Sequence, residues 1–218
     1  MAKPANASEV VGRIADGASL MIGGFMGGGS PNALIDELVR QGPRSLTIIA
    51  NDTARPGVGI GKLVDAGLVK KVITSHIGTN PKTQQLMIDG CIEVELVPQG
   101  TLAERIRAGG FGLGGVLTPT GVGTLVAEGK RTLEVDGKAY LLETALKADF
   151  ALVAARRADY DGNLEYALTA RNFNPLMAMA GQTTIAEAEQ IVPVGSIAPD
   201  SVVTPGVLVH FLVRRRSA

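Results

Sequence analysis

Between Asp16 and Leu38 the chain reads DGASLMIGGFMGGGSPNALIDEL, and five of the seven residues from Gly23 to Gly29 are glycine. An apolar run, a glycine-rich turn and a helix start make a ready site for an anion or a polarised oxygen. Unpaired backbone N–H groups point outward at such a junction. Two nucleotide templates can be tested on spacing alone. A dinucleotide fingerprint needs G-x-G-x-x-G; here Gly27 and Gly29 are followed by Asn32, and no other register fits. A P-loop ends in Gly-Lys-Ser/Thr, and Gly28-Gly29-Ser30-Pro31 carries no lysine. Asp52 falls near the place of a ribose-binding acid, but without the glycine fingerprint that placement is weak. Two readings remain: an oxyanion or anion cradle, or glycines that only let a strand and a helix pack closely.

The other chemically capable residues are scattered. Glu93 and Glu95 alternate on one strand face, which would place their carboxyls ~7 Å apart like a glycosidase pair. A solvent-facing strand edge is the simpler expectation. His76 and His210 are the only histidines and lie in unrelated segments. Ser75 adjoins His76, but neighbours on a strand face opposite ways, so no nucleophilic pair is expected. No three or four ligands converge in spacing, so no metal site is expected. The single cysteine, Cys91, reads as a small buried hydrophobe, and it excludes an internal disulfide. The Met-rich FNPLMAMAG (Phe173–Gly181) is either a core helix or a partner-facing surface.

Short apolar runs must position whatever chemistry there is. Leu20–Ile22, Leu46–Ala50, Val72–Thr74, Val94–Val97, Phe150–Ala154 and Val207–Val213 are nearly continuous, the pattern of parallel strands covered on both faces. Helical segments lie between them. PNALIDELVRQG puts Leu34, Ile35, Leu38 and Val39 on one face, with Ser30 as N-cap, Pro31 at the first helical position and Gly42 near the exit. TLAERIRAGG offers a Thr101–Glu104 capping box and a stop at Gly109. The fold class is therefore α/β, a mainly parallel sheet flanked by helices. Seven glycines from Gly109 to Gly123, then two β-like runs joined at Asp136-Gly137, break that rhythm. Asp-Gly between apolar runs signals a hairpin, so residues 108–145 are expected to form a small glycine-rich β flap inside one domain spanning 1–218.

Composition narrows the class of partner. Lys+Arg and Asp+Glu are balanced at 21 each, and aromatics make up 4% with no Trp. Neither charge nor stacking surface favours nucleic acid. The run Arg214–Arg216 reads as a solvated tail. The N-terminal segment lacks the apolar core of a signal peptide, and no uncharged run approaches the ~18 residues a membrane span needs. With one cysteine, a reducing compartment follows, and the expected location is the cytoplasm.

Several segments, in order, resemble family I CoA-transferases. DGASLMIGGFMGGGSP matches every position of the family's first signature: Asp/Asn-Gly, two residues, three aliphatics, Gly-Gly-Phe, three residues, Gly, one residue, Pro. The resemblance continues through LTIIANDTA, SHIGTNP, VELVPQGTLAERIRAGG, LTPTGVGT and ARNFNPL, covering nearly the whole chain. It is nearest to the alpha subunit of bacterial acetate/acetoacetate CoA-transferases, the butyrate–acetoacetate type included. ANDTA and SHIGTNP favour that branch over the succinyl-CoA:3-oxoacid branch, where an Asn-Asn pair replaces Asn51-Asp52.

The resemblance implies a covalent relay in which a glutamate takes CoA as a thioester by way of an acyl anhydride. That glutamate belongs to a Ser-Glu-Asn-Gly motif of the beta subunit, and no such motif occurs here. No catalytic residue is therefore expected in this chain, and a beta partner, in an α2β2 assembly, is. Gly23, Gly24, Phe25, Met26, Gly27, Gly28 and Gly29 would line the CoA/acyl region, Gln99 would hold the small acid's carboxylate, and Asn51 would face the same crevice. CoA and acyl-CoA enter as substrates, with no permanently bound cofactor. The corresponding subunit of a succinyl-CoA:3-oxoacid CoA-transferase is the neighbouring alternative. A non-catalytic CoA- or nucleotide-binding module is the alternative of a different class.

Overall fold

A computed structural model describes residues 2–215. Eight strands run parallel in the order β1 (Lys3–Pro4), β12 (Phe211–Arg214), β11 (Gly181–Val192), β9 (Ala148–Asp159), β2 (Ser19–Ile22), β3 (Leu46–Asp52), β4 (Val69–His76) and β5 (Glu93–Leu96). A short β10 (Leu164–Glu165) pairs antiparallel with β9. The chain winds outward from β2 through β5, then returns to the other side of β2 as β9, β11 and β12. The strand order thus reverses between β2 and β9, and α/β proteins open a ligand crevice at the carboxyl ends beside such a point.

The expected two-sided burial is present. Met21, Ile49 and Ile73 face a core shared with Leu102 and Ile106 of α5 (Gln99–Gly110) and Met177 of α6 (Asn174–Ala180). Their neighbours Leu20, Ile22, Ile48 and Val72 face the opposite core. That side is closed by Val10 of α1 (Ala7–Val11), Leu34 of α2 (Asn32–Gln41) and Leu63 of α3 (Gly61–Asp65). Leu86 of α4 (Pro81–Ile88) packs against the same core from its edge. The Met-rich segment is a core helix: Phe173, Met177, Ala178 and Ala180 are buried.

Several local expectations are corrected. Ser30 does not cap α2; the N-cap position is Pro31, without a side-chain bond, and Val39 is exposed. Gly42 does end the helix, with φ 70° and its N–H on the Leu38 carbonyl at 2.9 Å. The Thr101–Glu104 box is not formed, because α5 already starts at Gln99 and leaves Thr101 buried inside the first turn. Gly109 is no stop either. A Cβ there would lie 1.9 Å from the Leu146 carbonyl, and the helix runs on to Gly110 with Phe111 as its C-cap, before Gly112 at φ 73°. Val207–Leu208 belong to a short 3-10 turn, so the last strand is confined to Phe211–Arg214. Strand β11 escapes the apolar-run criterion altogether.

The stretch expected to form a flap holds a three-stranded antiparallel sheet in the order β6 (Gly115–Thr118), β8 (Lys138–Thr144), β7 (Thr132–Val135). Asp136 at φ 50° and Gly137 at φ 72° form its hairpin turn between paired Val135 and Lys138. Residues 108–110 still belong to α5. Arg105 of α5 holds this sheet, its Nε donating to the Thr144 carbonyl at 2.8 Å and standing 3.8 Å from buried Glu143, which Lys130 pairs at 2.6 Å.

Glu93 and Glu95 lie on the edge strand β5 and are held in ion pairs, Glu93 by Lys71 at 2.6 Å and Glu95 by Arg105 at 2.9 Å. Burial pushes the Glu95 carboxyl up, but Arg105 and Lys71 together bring it below the usual range. Cys91 is exposed rather than buried. Among the described residues no helix is long and apolar enough to cross a membrane. Arg214 and Arg215 are exposed; Arg216 lies outside the described residues.

Candidate active site

The glycine stretch leaves β2 at the strand reversal. Gly23 still donates to Leu152 of β9 at 3.0 Å, and then the backbone folds into a tight turn. Phe25 and Gly28 exchange both backbone hydrogen bonds, at 2.9 and 2.8 Å, around Met26 and Gly27 at φ 49° and 88°. Positive φ at both central positions is the geometry of a two-residue hairpin, unusual for methionine. Among the described residues, no hydrogen bond uses the N–H of Gly24, Gly27, Gly29 or Ser30. The free donors therefore lie on the turn itself.

Three buried polar side chains from three elements hold this wall in place. Asp52, at the end of β3, accepts the Met26 N–H at 2.8 Å and the Ala54 N–H at 2.7 Å. Asn174, opening α6, donates to the carbonyls of Gly29 and Ala170 at 3.0 Å each, and accepts the Ala154 N–H of β9 at 2.9 Å. Glu187, in the middle of β11, accepts the Leu34 N–H in the first turn of α2 at 3.1 Å. Their exposures are 3%, 0% and 1%. The helix N-terminus expected to stand open is closed from the protein interior by a carboxylate.

Space explains the glycines as much as donors do. A Cβ on Gly23 would sit 1.8 Å from Asn174 Oδ1, and one on Gly29 2.8 Å from the Ala170 backbone. Close packing and the cradle are both built into the same residues.

Asn51 and Gln99 come together although 48 residues separate them. Gln99 Nε2 donates to Asn51 Oδ1 at 2.5 Å, and Asn51 Nδ2 donates to Asp52 Oδ2 at 2.7 Å. Ser75 Oγ donates to the Asn51 carbonyl at 2.7 Å, so Ser75 is a prop and not a nucleophile. His76 is exposed at the next position, and His210 Nδ1 accepts the Thr184 N–H at 3.0 Å. A continuous chain of bonds thus runs from the exposed Gln99 through buried Asn51 and Asp52 to the Met26 N–H. One Gln99 N–H remains for a ligand.

A cavity of about 920 Å³ opens beside Gly27–Ser30 and is bounded across from them by Arg156, Glu165, Arg171 and Arg215. Of its carboxylates, Glu165 pairs with Arg157, Glu189 with Arg215 at 2.9 Å, and Glu187 bonds α2 through one oxygen only. Among the described residues no three His, Cys, Asp or Glu side chains gather as metal ligands. The site offers donors, shape and a held amide.

The coenzyme A transferase family model matches residues 5–215. The chain belongs to this family. The alpha subunit of the acetate CoA-transferase of Escherichia coli strain K12 is 55% identical over 210 residues, 96% of either chain. The acetoacetyl-CoA:acetate/butyrate CoA transferase alpha subunit of Clostridium acetobutylicum is 51% identical over 199 residues, 91% of either chain. Among solved structures, the acyl-CoA transferase of E. coli O157:H7, captured as a thioester complex with CoA, superimposes with a TM-score of 0.87 at 27% identity. That match takes in 99% of this chain and 48% of the other, so the chain spans about half the length of that enzyme.

Asn174 and Glu187 escape a search for chemically capable residues, and Asp52 enters it only as a candidate ribose-binding acid, because each works on backbone. Asn174 had a signal, an Asn directly before Pro in ARNFNPL; Glu187 had a weaker one, a carboxylate inside the small apolar run Ile185–Ala188.

Proposed function

We propose that this chain is the alpha subunit of a CoA-transferase that moves CoA between an acyl-CoA and a short-chain carboxylic acid, such as acetyl-CoA with acetoacetate or butyrate. A glutamate from a partner beta chain attacks the thioester carbonyl and expels CoA thiolate, leaving an acyl anhydride. The thiolate attacks the glutamyl carbonyl, releases the acid and leaves a glutamyl-CoA thioester. A second carboxylate then attacks that thioester, the thiolate leaves, and its attack on the new acyl carbonyl restores the glutamate. Every step develops charge on a carbonyl oxygen, and free N–H groups aimed there are worth ~3 kcal/mol each.

One observation carries this reading: a chain of hydrogen bonds runs from the exposed amide of Gln99 through Asn51 and Asp52 to the Met26 N–H, tying a held glutamine to a turn that keeps unpaired N–H groups among the described residues. In this role Gly23–Gly29 line the CoA/acyl region. Gln99 faces the acid's carboxylate with its spare N–H, and Asn51 stands behind it. We assign the chain to a single domain carrying the 108–145 flap, working in the cytoplasm within an α2β2 assembly. CoA and acyl-CoA are substrates, and no resident cofactor is needed.

Intact-mass spectrometry of the assembled complex after brief exposure to acetyl-CoA is the test. The CoA adduct is expected on the beta chain alone. An adduct on this chain would overturn the split-site mechanism. The non-catalytic alternative predicts CoA binding with no adduct on either chain, and a nucleotide module predicts thermal stabilisation by NAD or ATP and none by CoA.

A further inference from the structure

The transfer chemistry depends on where the glycine wall stands, so whatever fixes α2 behind it bears on the rate. Pro31 occupies the N-cap of α2 with no side-chain bond, so the helix has no local cap. Its cap is Glu187, from a strand 153 residues away, bonded to the Leu34 N–H at 3.1 Å and supported by the Ala33 N–H. Among the described residues the second carboxylate oxygen, Oε1, is buried with no hydrogen-bond partner; Arg215 Nε stands 3.9 Å from it. A neutral acceptor would satisfy the same N–H groups without burying a charge. That an acidic residue sits there instead is the unexplained feature.

We infer that Glu187 is a positioning residue for the glycine wall and acts through its negative charge, holding α2 and the Gly24–Gly29 turn where transfer is fastest. The inference rests on the CoA-transferase reading of the site. The charged groups facing Glu187 are Arg215 beyond β12, Asp36 on α2, and Glu189 on its own strand, with Arg156, Glu165 and Arg171 across the cavity. Burial pushes its carboxyl up, and Asp36 adds to this. The Leu34 and Ala33 N–H groups and Arg215 oppose the rise without cancelling it. The wall is therefore held by a charge that is lost on acidification before an ordinary glutamate would be neutralised. The neutral acid holds the N–H groups about half as strongly.

The test follows kcat against pH in the reconstituted complex. It also follows the Met26 methyl resonance, in selectively labelled full chain alone and in the complex, assigned with Met26→Leu. Wild type is compared with Glu187→Gln and with Arg215→Gln, a change at an exposed side chain. Expected are a kcat about fivefold lower in Glu187→Gln at neutral pH, with both KM values little changed, and loss of the acid limb that the wild type shows. The Met26 resonance should titrate with that limb in wild type and stay flat in Glu187→Gln. In Arg215→Gln the limb and the titration should both move to higher pH. A Glu187→Gln complex with wild-type kcat and acid limb, or a Met26 resonance that ignores pH in wild type, overturns the inference. Should Glu187→Gln fail to fold, an unmoved titration in Arg215→Gln overturns it as well. A complex that transfers no CoA while Met26 still titrates would reject the enzymatic reading and leave the positioning role standing.

Discussion

The chain of bonds from Gln99 to the Met26 N–H passes through residues that differ sharply in burial. Gln99 is exposed and tied by one N–H only, so Gln99→Ala leaves the fold alone and removes the donor aimed at an acid. A hydrogen bond to a charged group is worth about 1.5–3 kcal/mol. The KM for the acceptor acid should therefore rise by roughly tenfold or more, while the KM for acyl-CoA stays put; steady-state kinetics of the complex decides, and equal effects on both substrates would remove Gln99 from the acid site. Asp52 is the opposite case. Its two oxygens accept from Met26, Ala54 and Asn51, all within 2.8 Å. Asp52→Asn replaces one acceptor with an NH2 that must face a donor, and a buried mismatch of that kind costs about 1–3 kcal/mol. Chemical denaturation should register that loss together with a lower kcat. A variant of unchanged stability would mean that the turn does not depend on Asp52.

At the scale of elements, the wall's glycines can be separated into those needed for conformation and those needed for space. Gly29 and Gly57 have nearly the same φ, 69° and 74°. An added Cβ meets the Ala170 backbone at 2.8 Å in the first case and nothing within 4 Å in the second. The Ala variants should share the left-handed penalty of about 1 kcal/mol, and Gly29→Ala should lose a further ~1–3 kcal/mol by overpacking against the 168–171 turn. Paired denaturation midpoints test this, and equal losses would show that the turn yields freely. The same division explains what could be read from sequence. Strands β2, β3, β4 and β9 were legible because both their faces are buried in apolar cores. Strand β11 was not, although it lies between β9 and β12. Its inward positions are spent on polar work: Thr184 donates to the Ala178 carbonyl at 2.8 Å and Glu187 caps α2. The glycines stood out by residue type, and Gln99 was named only through the family resemblance. The residues that hold the wall did not, since their partners are backbone groups 26, 145 and 153 positions away. Local caps failed as predictions for the same reason: Ser30 looked like a cap, and the cap came from another strand.

At the scale of the molecule, the strand reversal between β2 and β9 sets where the proposed site opens. Everything proposed to touch substrate lies on the carboxyl side of a single parallel sheet: the turn after β2, Asn51 at the end of β3, and Gln99 beyond β5. A sheet of this kind can wall a crevice on one side only. In the solved CoA-bound relative, this fold accounts for about half of the chain. If the missing side is a beta subunit carrying the glutamate, catalytic competence belongs to the pair. Acetyl-CoA:acetoacetate transfer by the purified chain should then be indistinguishable from background. Titrating beta subunit into a fixed amount of the chain should raise the rate linearly and level off at one beta per chain, as an α2β2 particle requires, with sedimentation reporting the same stoichiometry. A lone chain that turns over, or a rate that keeps climbing well past equivalence, would contradict a shared site. The shape of the curve separates the possibilities. A beta subunit that carried the whole activity would give a rate proportional to beta alone, with no break where the chain runs out.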